Sequence, residues 1–138
     1  MKILHTVEYY YPIAGGAQEV VKQISEHLVK KGHDVTVVTT MVQNRTISEL
    51  NGVKIVEFDI SGNHVNGYSG DTSAYVDYVL TSDFDVIMNY AAQQWTTDLL
   101  LPVLDKITSK KVFVPCGFSA LCKYRYRKYY DSMKKILS

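Results

Sequence analysis

Cysteine is scarce: Cys116 and Cys122 are the only two in 138 residues. That is too few for a disulfide framework, and the pair lacks metal-site spacing, so a reduced, cytosolic protein is expected. No apolar run approaches the roughly 20 residues that a membrane span needs. The start, Met1-Lys2-Ile3-Leu4-His5, meets a histidine and soon Glu8, which is not the pattern of a secretory leader. The sequence holds no G-x-G-x-x-G and no G-K-[ST], so the dinucleotide fingerprint and the P-loop are both excluded. Gly117-Phe118-Ser119-Ala120-Leu121 lacks the second glycine of a hydrolase elbow. After the first strand only Glu8 is acidic, which argues against the clustered acids of a response regulator. His5, His27, His33 and His64 have no metal spacing, and neither a metal nor another cofactor is expected.

What is present is ordinary globular composition, 46% hydrophobic and 21% charged, in a chain the size of one domain. The net charge of +1 is unevenly spread. Residues 1–122 carry nine Lys/Arg against thirteen Asp/Glu, whereas residues 123–138 carry six against one. Most of the chain therefore has no bias toward polyanions, and nucleic acid is not an expected partner.

Short β-rich runs alternate with amphipathic helical runs, without repeats or an obvious linker. Ile3 to Val7 predicts a buried first strand, and residues 8–16 a loop. Ala17, Val20, Val21, Ile24 and Leu28 recur at helical spacing, with Gly32 as terminator. Val35–Thr39 and Val53–Phe58 predict the next strands, joined by a polar connection ending in Asn51-Gly52. Residues 59–70, rich in Gly, Asn and Ser, read as a long loop. Asp71 or Thr72 caps a helix carrying Tyr75, Val76, Val79 and Leu80. Asp85 to Tyr90 predicts a fourth strand. Thr96 or Thr97 then caps a helix bearing Leu100, Val103, Leu104 and Ile107, kinked or delayed by Pro102. Lys111 to Pro115 reads as a fifth strand and residues 123–138 as a basic helix. The alternation predicts an α/β domain with a mostly parallel sheet, whose ligands bind beyond the carboxyl ends of the strands. That rule selects segments 8–16, 59–70, 89–97 and 116–122.

Gly15-Gly16 before a helix is the most informative pair. Glycines let a backbone approach a ligand, and a helix start offers unpaired N–H groups to an anion such as phosphate. A plain tight turn is the competing explanation. His5 in a strand reads as an interior histidine rather than a catalyst. Asn44-Arg45-Thr46 matches a glycosylation sequon, which has no consequence in a cytosolic protein. The tail Lys123-Tyr124-Arg125-Tyr126-Arg127-Lys128-Tyr129-Tyr130 mixes cations with rings, a pattern that can meet anionic lipid headgroups or nucleic acid. The simpler reading is a solvated amphipathic helix whose tyrosines pack on further protein.

Taken together, Tyr11-Pro12-Ile13-Ala14-Gly15-Gly16-Ala17-Gln18-Glu19 and Gly32-His33-Asp34-Val35-Thr36-Val37-Val38-Thr39 resemble the start of a family 4, GT-B-type retaining glycosyltransferase (glycosyl transferases group 1). Asn51-Gly52-Val53, Asp85-Val86-Ile87 and Pro115-Cys116-Gly117-Phe118-Ser119 extend the likeness over essentially the whole chain. Where such enzymes often carry His-x-His, this chain has Met88-Asn89-Tyr90.

The resemblance implies a Rossmann-like, acceptor-side N-terminal domain spanning residues 1–138, with a second, donor-binding domain carrying the paired-glutamate motif lying outside the chain. It implies transfer of a sugar, with retention, from a nucleotide-sugar to a glycan or lipid-linked acceptor, and no activity in the isolated domain. Gly15 and Gly16 are then donor-phosphate contacts. Tyr11, Asn89, Tyr90, Gln93, Gln94, Cys116, Gly117, Phe118 and Ser119 border the acceptor cleft, with Tyr90 and Asn89 as catalytic candidates. The expected place is the cytoplasm, with the basic last helix as the feature that would hold it at the inner face of a membrane. Self-association of the isolated chain is expected, through that helix or through Tyr9, Tyr10, Tyr11, Tyr90, Trp95 and Phe118 on an open cleft wall. The competing function is a stand-alone α/β module that binds a small anionic ligand or a protein partner without chemistry.

Overall fold

A computed structural model describes residues 1–118 and 120–138. The elements run β1 (Lys2–Thr6), α1 (Gly16–Lys30), β2 (Asp34–Thr40), β3 (Glu49–Leu50), β4 (Val53–Phe58), β5 (Ser61–Asn63), β6 (Gly67–Ser69), α2 (Thr72–Thr81), β7 (Val86–Tyr90), α3 (Trp95–Asp98), β8 (Lys110–Val114) and α4 (Arg127–Leu137). The six-stranded sheet has the order β3-β4-β2-β1-β7-β8, and all of its pairs are parallel except β3 with β4. This is an α/β fold with a mixed, mostly parallel sheet flanked by helices.

Alternate side chains of each strand leave for opposite faces. Ile3 and Val7 join Val21, Val35, Val37, Val53 and Ile55 under α1. Leu4, Val38 and Ile87 join Tyr75, Val79, Trp95 and Leu100 on the other side. A third cluster seats Tyr129, Tyr130 and Met133 of α4 on Ala92 and the edge of Phe113.

Helix α1 ends as its sequence predicts. Gly32, at φ 86°, takes the left-handed position that a side chain would strain, and its N–H reaches the Val29 carbonyl while that of His33 reaches Leu28. The packing stripe of α1 differs from expectation. Val21 and Ser25 are buried with Leu28 and Val29 beside them, while Val20 and Ile24, one position round the helix, stay exposed.

Three segments depart from the sequence reading. The polar connection before Asn51-Gly52 contains β3, paired with β4 across a turn in which both residues have positive φ. Residues 59–70 are not simply a loop: β5 and β6 form a two-stranded ribbon. Glycine permits this, because a Cβ on Gly62 would collide with the Gly67 carbonyl. The helix expected over 96–107 is instead the four-residue α3 followed by a 3₁₀ helix, Leu101–Lys106, with Pro102 in its first turn. Gln94, not Thr96 or Thr97, stands at the α3 cap position: the helix begins at Trp95, so both threonines lie inside it, and Thr97 donates its hydroxyl to the Ala91 carbonyl (2.7 Å). The cap of α2 is Asp71, which accepts from the Ala74 N–H at 3.1 Å.

Candidate functional site

The chain leaves β1 in one direction, building β2 and β4 on one side, and later returns to β7 on the other side. The crevice of such a sheet opens where this direction reverses, beyond the carboxyl ends of β1 and β7. Two segments meet there, residues 7–15 after β1 and residues 91–94 after β7. They are joined by a hydrogen bond from the Glu8 N–H to Gln94 Oε1 at 3.1 Å.

On the β1 side, Gly15 and Gly16 open α1 without a side-chain cap, and both are exposed. Space beside Gly16 is empty: a Cβ there would meet nothing within 4 Å. Helix starts of this kind leave N–H groups and the positive end of the dipole facing outward. The loop leading to them is tied down by Arg45. Its Nε donates to the Tyr11 carbonyl (2.6 Å), Nη2 to that of Tyr10 (3.2 Å) and Nη1 to that of Thr40 (3.1 Å) and to the Glu57 carboxylate. Sequence reading placed Arg45 in a sequon only, since nothing in its local pattern marks it as the buried anchor.

On the β7 side, Ala91 and Gln93 hold φ of 66° and 64°, and Cys116 beyond β8 holds 53°. Left-handed backbone at non-glycine residues is costly and tends to gather at ligand sites. Asp98, 2% exposed, lies behind this loop. Its Oδ1 accepts from the Tyr129 hydroxyl at 2.6 Å and its Oδ2 from the His64 N–H at 3.0 Å. The Tyr129 oxygen also accepts from the Gln93 N–H (3.0 Å), and Gln93 Nε2 donates to the Tyr130 hydroxyl (2.5 Å). One acid thus binds the loop, the β5–β6 ribbon and α4 together. Burial pushes the Asp98 carboxyl above its ordinary range, with the Tyr129 and His64 hydrogen bonds opposing. Burial, then the charge of Asp98, pushes Glu8 upward as well. Burial and the Asp98 bond hold the Tyr129 phenol far above its usual value.

The residues expected in the cleft separate into two groups. Tyr11, Cys116, Gly117 and Phe118 are exposed, and Gln93 and Gln94 are half-buried. Asn89 and Tyr90 are buried, on opposite faces of β7. The Asn89 Oδ1 accepts from the Thr6 hydroxyl at 2.7 Å, and Tyr90 stands edge-on to His5 with ring centroids 5.4 Å apart. Both are covered instead of opening to the crevice, because the final residues of a central strand are packed on both faces. Ser119 lies outside the described residues. The aromatic wall expected to be open is half hidden: Tyr10, Trp95 and Tyr90 are buried, leaving Tyr9, Tyr11 and Phe118 exposed. Tyr75 and Phe58 enclose Trp95, whose Nε1 reaches Thr40. The tail also differs from a solvated helix with tyrosines awaiting more protein, since Tyr129 and Tyr130 pack within this chain.

Asp98, Tyr129 and Arg45 were missed as organising residues. Asp98 had one sequence signature, an acid directly before the apolar run Leu99-Leu100-Leu101. Among the described residues no group of three His, Cys, Asp or Glu side chains could hold a metal ion, and no helix is long and apolar enough to cross a membrane. No family model matches the chain, and no curated protein matches it.

Proposed function

We propose that this chain is the acceptor-side N-terminal domain of a retaining GT-B glycosyltransferase. The observation that carries the reading is the uncapped Gly15-Gly16 start of the 15-residue α1, set beside the reversal point of the sheet. In this reading Gly15 and Gly16 bring backbone N–H groups to the diphosphate of a nucleotide-sugar held mainly by a second domain. The acceptor oxygen bonds to the anomeric carbon on the face that the phosphate leaves, and the bond from that carbon to the phosphate oxygen breaks. The acceptor's hydroxyl proton passes to the departing phosphate oxygen, and the nucleoside diphosphate leaves with the electron pair. Fixed N–H dipoles facing the departing charge stabilise the transition state without reorganising at the moment of reaction. Tyr11, Gln93, Gln94, Cys116, Gly117 and Phe118 border the acceptor, a glycan or lipid-linked glycan. Asn89 and Tyr90, buried at the end of β7, act as positioning residues.

The test is a reading frame and an assay. The reading expects the coding sequence to continue past Ser138 into a second α/β domain, and the longer polypeptide to transfer sugar from one of a panel of nucleotide-sugars. Gly16→Val in that polypeptide should lower transfer by at least about tenfold, because a side chain then stands where phosphate approaches. Residues 1–138 alone should transfer none. A frame ending at Ser138, with phosphate compounds bound but no sugar moved, would establish the stand-alone binding module in its place.

A further inference from the structure

The loop after β8 and helix α4 present a surface that the sugar-transfer reading does not use. Phe118, Leu121 and Leu137 are exposed there, and Tyr124 is 87% exposed. A groove of about 510 Å³ runs between the loop and α4, lined by Phe118, Leu121, Tyr130, Met133, Lys134 and Leu137. A second of about 440 Å³, lined among others by Lys123, Tyr124, Arg127 and Asp131, shares Leu121, Tyr130 and Lys134 with it. The two form one continuous face, apolar at one end and cationic at the other. Lys123, Arg125, Arg127, Lys128, Lys134 and Lys135 are all exposed, and among the described residues none of them forms an ion pair. Asp131 is the one acid of the segment.

We propose that this face docks on an anionic phospholipid bilayer. Unpaired lysine and arginine around protruding leucines fit that partner: the cations meet headgroup charge while the apolar side chains enter the interface. Nucleic acid fits less well. Binding to successive bases uses a row of exposed rings as stacking platforms; here Tyr129 and Tyr130 are turned inward, Tyr124 and Phe118 are the exposed rings, and aliphatic Leu121 and Leu137 stand exposed beside them. A second copy docked through the same face would set like charge against like charge. The proposal stands on α4 and its loop, so it survives if the glycosyltransferase reading fails.

Flotation of the chain with vesicles provides the test. Phosphatidylcholine vesicles are compared with vesicles containing about a third phosphatidylglycerol, at ionic strengths from about 0.05 to 0.5 M. The chain should float with the anionic vesicles, be released by salt, and ignore the neutral ones. Lys123→Glu with Arg127→Glu should weaken binding by at least about tenfold. Leu121→Ser with Leu137→Ser should weaken it several-fold, with both variants checked for native circular dichroism. Equal binding to both vesicle types, binding to neither, undiminished binding by either double variant, or a tighter complex with single-stranded oligonucleotide than with anionic vesicles would each overturn the proposal.

Discussion

The two shoulders of the crevice are built by opposite means. Beside β1, Gly15 and Gly16 contribute backbone, with open space beside Gly16, and the loop that carries them is held from behind by one buried cation, Arg45. Beside β7, the loop is held by buried polar side chains, with Tyr129, Asp98, Gln93 and the His64 N–H sharing hydrogen bonds. An open shoulder can change its exposed residues with little effect on the fold. A knotted shoulder resists change, because each member of the network leaves another unsatisfied when removed. The comparison teaches that the part facing the crevice and the part holding it are separate: Gly16 is exposed with free space beside it, while the anchor of its loop is buried and bonded to three carbonyls.

The largest expected effect comes from the anchor. Arg45→Met removes donors from three carbonyls and the partner of Glu57, and should destabilise the chain by about 3 to 5 kcal/mol in urea unfolding. A loss under about 1 kcal/mol would show that the β1 shoulder is held by other contacts.

Next comes acid, acting between the shoulders through His5. Ser25 gives its proton to the Val21 carbonyl (2.7 Å), so the His5 Nδ1 at 2.8 Å must carry a hydrogen and the buried Nε2, which has no partner, must be bare. Protonating Nε2 would bury an unpaired charge, and burial lowers the His5 pKa to about 4. A depressed histidine pKa means that the unfolded chain takes up the proton first. Its contribution is therefore present above the ordinary value near 6.5 and lost as pH falls toward 4, about 3 kcal/mol in all. His5→Met should flatten stability against pH across that window, and an unchanged slope would assign the acid sensitivity elsewhere.

Tyr129→Phe sharpens the comparison from the other shoulder. It removes a donor to a buried carboxylate, and about 2 kcal/mol should be lost at neutral pH. Asp98 has a raised folded pKa, so its own titration favours the fold at low pH and loses that contribution as pH rises through the folded value. The Tyr129 hydrogen bond favours the ionised form. The deficit of Tyr129→Phe should consequently shrink as pH falls and Asp98 protonates. A deficit independent of pH would mean that the ring's packing, and not the hydroxyl, holds α4.

The smallest expected effect is on the open shoulder. Gly16→Val enters empty space and should change stability by no more than about 0.5 kcal/mol, even where it blocks phosphate. A much larger loss of melting temperature would make Gly16 a structural glycine and remove the contrast.

Much of the fold was legible in local pattern. Periodicity located β1, α1, β2, β4, α2 and β7, and Gly32 and Asp71 marked helix ends, because these features depend on residues only a few places apart. The ribbon at 61–69 was not legible. Its glycines and asparagines have loop composition, and it forms through close backbone pairing and a tip held by Asp98 from 34 residues away. The expected helix over 96–107 failed for a related reason. Trp95, Thr97 and Asp98 are committed to partners in β2, the Ala91 carbonyl and α4, and Pro102 sits in the first turn of the short 3₁₀ helix that replaces the rest.

Of the candidate site, the sequence alone determined the Gly15-Gly16 pair and its place before a helix, because a missing side chain and a helix start are local properties. It also determined the concentration of positive charge after Cys122. Only the tertiary structure decided that Asn89 and Tyr90 lie buried and that Arg45 anchors the β1 shoulder. It also set Asp98 and Tyr129 as the knot of the β7 shoulder and turned the inner tyrosines of α4 toward the sheet. Those outcomes depend on which distant groups burial brings within hydrogen-bond reach, and local sequence pattern does not carry that information.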